Sequence, residues 1–144
     1  MKCQFIARYQ MPSNTTVCIP LFGETVPAGF PSPAQDYVER SLDLNELCIQ
    51  HPAATYFVRA QGDSMQGAGI FDGDILVVDR SLKARHEDIV IACLDNEFTV
   101  KQLQTRPRMR LAPMNRQFPV IEIQEESTLE IFGVVSTVIH QLRR

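Results

Sequence analysis

A chain of 144 residues, 44% hydrophobic and 22% charged, has the composition of a single globular domain with a real core, which argues against wholesale disorder. Its formal net charge of -3 gives no basic footprint, so direct binding to duplex DNA is not expected. The four cysteines form no C-x-x-C pair and no Cys/His cluster, which points away from zinc, and no metal or cofactor is expected.

The N-terminus, "MKCQFIARYQMPSNTTV", lacks the continuous apolar stretch of a signal peptide. The longest strictly apolar run, residues 89–94, is far too short to span a bilayer. Cys48 and Cys93 sit in the apolar runs "ELCI" and "VIACL", where reduced cysteine behaves as a small hydrophobe. These features predict a cytoplasmic protein with no membrane partner.

Taken in chain order, "MPSNTTVCIPLFGETVPAGFPSP" holds five of the nine prolines and no sustained period, and reads as an extended N-terminal arm. "DLNELCIQHP" follows, with Asp43 as N-cap, Glu46 three residues on and Pro52 as a stop, which predicts one short helix. "ATYFVRA" alternates as a strand does. "DILVVD" and "DIVIACL" are β-branched runs that read as strands buried on both faces. "EFTVKQLQ", "RMRLAPM", "VIEIQ" and "LEIFGVVSTVIHQL" complete a series of strands at short spacing, which predicts a mostly-β sandwich or barrel. Arg106, Arg108 and Arg110 fall at period two, as on the solvated face of one strand.

Between the alternating "ATYFVRA" and the first buried strand lies "QGDSMQGAGIFDGD", with four glycines around the lone Ser64. It is neither G-x-G-x-x-G nor followed by G-K-[ST], so it does not cradle phosphate. Asp63, Asp72, Asp74 and Asp79 lack the D-x-D-x-D-G cation loop and its distal glutamate, and read as turn residues. A Ser-His-Asp triad with His86 and Asp88 has only chain order in its favour, and His51, His86 and His140 read as satisfied or exposed residues.

Lysine is then the remaining base. Lys101 lies inside the alternating "FTVKQL", flanked by Phe98, Val100 and Leu103. A strand lysine ordinarily extends its ammonium to water. Buried instead, its pKa of about 10.4 falls by roughly 3–5 units, and the neutral amine is then able to take a serine proton. A Ser-Lys dyad is a known form of activated nucleophile, and the open turn around Ser64 offers the backbone N–H groups of Ser64 and Met65 as an oxyanion hole.

"GDSM…GIFDGDILVVDR" followed by "DIVIACLDNEFTVKQL" resembles the LexA/UmuD family of self-cleaving serine peptidases. The likeness to its UmuD-type members is close, and it runs from about Ile19 to the C-terminus. The resemblance implies a compact LexA/signal-peptidase-like β domain, Ser64 as nucleophile and Lys101, 37 residues on, as general base. It also implies a self-inflicted cut at Ala28-Gly29 in "VPAGFPSP"; alanine before that glycine is the LexA and plasmid-borne pattern. The implied organisation is an arm, 1–28, removed by self-cleavage, a linker arm, 29–45, and a β-rich peptidase-like core, 46–144. Only residues 1–28 precede the cut, too few for a LexA-type helix-turn-helix domain, so a polymerase-accessory role is expected over a repressor's.

Further implications are stimulation by a RecA filament on single-stranded DNA, a homodimer, and assembly with a UmuC-type Y-family polymerase for translesion synthesis. Three other readings stay open from the residues alone: a non-enzymatic interaction module, a LexA-like regulator, and a membrane-linked peptidase of the signal peptidase kind.

Overall fold

The computed structural model describes residues 2–8, 19–22 and 38–143. These fall into two units, residues 2–8 with 51–143, and residues 19–22 with 38–50. Strand β1 (Lys2–Arg8) belongs to the larger unit. The smaller one contains β2 (Ile19–Phe22) and β3 (Val38–Leu42), paired antiparallel, followed by helix α1 (Leu44–Cys48). As expected, Asp43 is the N-cap of α1, its carboxylate accepting from the Asn45 N–H at 2.9 Å. The helix ends at Cys48, and Pro52 instead opens a 3-10 turn, Pro52–Ala54, where its missing N–H costs nothing.

The rest of the larger unit is β4 (Thr55–Gln61), β5 (Ile75–Asp79), β6 (Ile89–Leu94), β7 (Glu97–Gln104), β8 (Arg110–Ala112), β9 (Ile121–Glu122) and β10 (Leu129–Ile139). With β1 they form one antiparallel sheet in the order β1-β4-β5-β10-β6-β7-β8-β9. Strand β1 also lies against β7, so the sheet curls back on itself. Among the described residues this is a mostly-β architecture with one short α-helix, and the strand spacing predicts that β content. Among the described residues no helix is long and apolar enough to cross a membrane.

The runs read as doubly buried are so: Leu76, Val77 and Val78 of β5 and Val90, Ile91 and Ala92 of β6 are at most 1% exposed. Burying each large apolar side chain stabilises the fold by roughly 1.5–3 kcal/mol, which fixes the register of both strands. Strands β6 and β7 are joined by Asp95-Asn96, both at positive φ (49° and 69°), as a two-residue primed hairpin turn requires. The long β10 pairs β6 through Leu129–Val134 and then β5 through Val134–Ile139. Gly133 marks the changeover, because a Cβ there would lie 2.6 Å from Val78 Cγ1.

Three features differ from the sequence reading. Residues 2–8 fall in the arm, 1–28, that the resemblance implies, yet they form the edge strand of the main sheet, with Lys2 opposite Gln61 and Arg8 opposite Tyr56. The arginines at period two do not share a strand face. Strand β8 begins only at Arg110, while Arg106 and Arg108 are exposed in a bend, since Pro107 has no N–H for a ladder. "VIEIQ" contributes only the two residues of β9.

Candidate active site

Ser64 lies in the loop that leaves β4 and returns into β5. Two apolar side chains inside that loop, Met65 and Ile70, are 0% and 1% exposed and pin it to the core. Aspartates close its neck: Asp72 Oδ1 accepts from Gly62 N at 2.8 Å, and Asp74 Oδ2 from Phe71 N at 2.8 Å. Across the loop, Gly73 N donates to Ala60 O and Ala60 N to Asp74 O. Two of the four aspartates expected in turns, Asp72 and Asp74, are thus fasteners of the serine loop.

A second segment, residues 113–115, is stitched to the loop from outside. Met114 N donates to Ser64 O at 2.8 Å, Gly67 N to Met114 O at 2.6 Å, and Asn115 Nδ2 to Asp63 O at 2.8 Å. Gly67 has to be glycine there, since a Cβ would lie 2.5 Å from Met114 O. Nothing local in the sequence announces this segment, because its contacts bridge about fifty positions.

Lys101 arrives on β7, opposite Val90 of β6. It is 5% exposed and Ser64 0%, and Lys101 Nζ lies 3.3 Å from Ser64 Oγ. Nζ also donates to Thr99 Oγ1 at 3.0 Å and to Val100 O at 3.1 Å. The structure therefore brings together the serine and lysine singled out from the sequence. Thr99 was not singled out; the available signal is its period-two position beside Lys101, which places both on one face of the strand.

Burial disfavours the ammonium form and pulls the Lys101 amine below the usual lysine range. The Cys3 thiol, on β1, is itself pushed up to about 11 by burial, so it stays neutral at ordinary pH. A neutral Lys101 amine has two N–H groups and one lone pair. With the N–H groups given to Thr99 Oγ1 and Val100 O, the lone pair is left to accept the Ser64 hydroxyl proton. Beside the serine, the Met65 N–H makes no hydrogen bond with any described residue.

The three histidines are engaged elsewhere. His51 Nδ1 bonds Asp79 Oδ2 at 2.6 Å, His86 Nδ1 accepts from Thr105 N at 3.0 Å, and His140 Nδ1 bonds Asp74 Oδ1. Asp79 is opposed by burial, but its bonds from Ser81 and His51 outweigh that and hold its carboxyl below the usual range. No cluster of three or more potential metal ligands occurs among the described residues. Ala28 and Gly29 lie outside the described residues.

Residues 20–136 match the family model described as Peptidase S24-like. Protein SamA of Salmonella typhimurium is 53% identical over 96% of this chain and 95% of its own length. Protein MucA of Escherichia coli is 55% identical over 82% of either chain. A LexA repressor, from Verminephrobacter eiseniae, is 37% identical over 85% of this chain and 54% of the repressor.

Proposed function

We propose that this chain, which belongs to the Peptidase S24-like family of serine peptidases, uses Ser64 and Lys101 to cut its own backbone between Ala28 and Gly29. The observation that carries the reading is the buried 3.3 Å approach of Lys101 Nζ to Ser64 Oγ, with Thr99 and Val100 occupying the other donors of the amine.

The neutral Lys101 amine takes the Ser64 hydroxyl proton as Oγ attacks the Ala28 carbonyl carbon. The backbone N–H groups of Ser64 and Met65 hold the oxyanion. Collapse breaks the Ala28 C–Gly29 N bond, and the Lys101 ammonium returns its proton to the leaving Gly29 nitrogen. Water, deprotonated by Lys101, then hydrolyses the Ala28 ester on Ser64. The products are residues 1–28 with a new carboxylate and residues 29–144 with a new amino group. Carrying substrate and catalyst in one chain makes presentation of the cleavage segment the natural point of control.

The UmuD-like character of the relatives supports a place in SOS mutagenesis. On that reading a RecA filament on single-stranded DNA stimulates the cut in the cytoplasm. The trimmed homodimer then serves a UmuC-type Y-family polymerase in translesion synthesis. Support for self-association comes from β10: along Val135–Ile139 it pairs β5 on one side and carries no described strand on the other, with Ile139 41% and Leu142 91% exposed. An open edge of this kind is self-complementary about a two-fold axis.

Intact mass of the purified protein, incubated alone, tests the chemistry. Residues 29–144 should accumulate from the wild type and be absent from Ser64→Ala, a loss of at least about 10³-fold. Cleavage at Ala28-Gly29 in purified Ser64→Ala would refute the mechanism.

A further inference from the structure

Asp74 stands where the serine loop rejoins the sheet, and its side chain is fully buried, at 0% exposure. Each carboxylate oxygen has one partner: Oδ2 accepts from Phe71 N at 2.8 Å, and Oδ1 is 2.5 Å from Nδ1 of His140. His140 is no neighbour in sequence; it follows the last residue of β10, 66 positions downstream. Its ring also packs on Phe71, centroid to centroid 5.3 Å. From Phe71 the chain steps to Ile70, whose N–H donates to Met65 O at 3.2 Å, and Met65 adjoins Ser64. An unbroken path of short contacts therefore links the end of β10 to the nucleophile.

We propose that His140 is a positioning residue for self-cleavage, holding Asp74 and through it the loop that aims Ser64 at Lys101. The inference rests on the reading of Ser64 as nucleophile. The bond needs no particular charge on the imidazole, because Nδ1–H donates both in the imidazolium and in the neutral tautomer protonated there. Removal of the donor leaves a buried carboxylate oxygen without a partner. Asp74 must then admit water or move, and where it moves Phe71 N moves with it. A displacement of about 1 Å at a reacting group slows a reaction by roughly 10²-fold, so even a fraction of that shift is measurable. Asn is the informative replacement, since its side-chain amide nitrogen takes the place of imidazole Nδ1.

The test follows first-order conversion of the full chain to residues 29–144, with thermal midpoints recorded for every variant. His140→Ala should convert at least about tenfold more slowly. His140→Asn should return to within about threefold of wild type, because it restores the donor. If His140→Ala does not fold, His140→Leu takes its place, keeping an apolar contact with Phe71 without a donor. A donorless variant that converts at the wild-type rate overturns the proposal. So does His140→Asn that is as slow as the donorless variant while melting like wild type. A wild type that never converts, or a Ser64→Ala chain that does, instead refutes the reading of Ser64 itself.

Discussion

Ser64 and Lys101 come within 3.3 Å of each other, yet they are held by different means. Lys101 is built into a continuous strand, fixed on one side by the β6 ladder, with the buried Val100 before it and Leu103 after it in β7. Ser64 rides on a loop whose shape depends on separate fasteners, namely Asp72, Asp74 and the Met114 backbone. On the proposed reading, the strand sets the protonation state of the Lys101 base and the loop sets the aim of the Ser64 nucleophile. Damage to the loop should therefore change the rate at every pH, whereas changes at the lysine should also move the dependence on pH.

The largest effect that separates the two is expected at Gly67. Gly67→Ala forces a Cβ to within 2.5 Å of Met114 O, a backbone atom that cannot swing aside. The loop must shift, and conversion should fall by about 10²-fold while its pH dependence keeps the wild-type midpoint. A displaced midpoint in this variant would show that loop and base are not independent.

A smaller and opposite effect is expected in stability at the strand. Because burial depresses the folded-state pKa of Lys101 below the unfolded value, the lysine works against folding. That cost is complete below the folded pKa and fades as pH rises through the unfolded value of about 10.4. Lys101→Met should therefore melt a few degrees higher than wild type at neutral pH, with the gap closing toward about pH 10. An unchanging gap across that range would assign the gain to packing alone.

Much of this division is legible in the sequence. The β-branched runs of β5 and β6 announce buried strands, and the contrast between a glycine-rich turn and an alternating strand separates Ser64 from Lys101 before any coordinates. The supports are another matter. Met114 reaches Ser64 and His140 reaches Asp74 across intervals of sequence that no local period spans. Pro107 breaks the arginine alternation that looks like a strand face, and β9 keeps only two residues of a longer β-branched run. Strand β1 did carry a signal, the alternation of Cys3, Phe5 and Ala7 against Lys2, Gln4 and Arg8, interrupted by the apolar Ile6. Its surroundings are proline-rich, and its partner β4 begins about fifty residues later, so pairing rather than propensity makes it a strand.

The most direct test of the account is the rate of self-conversion as a function of pH, measured on the purified wild-type chain alone by intact mass. A buried lysine acting as base predicts a rate that rises with the neutral fraction of Lys101 and levels off once the amine is deprotonated, with a midpoint below about 10.4. A rate with no dependence on pH across that range, or one that persists in Lys101→Ala, would contradict it.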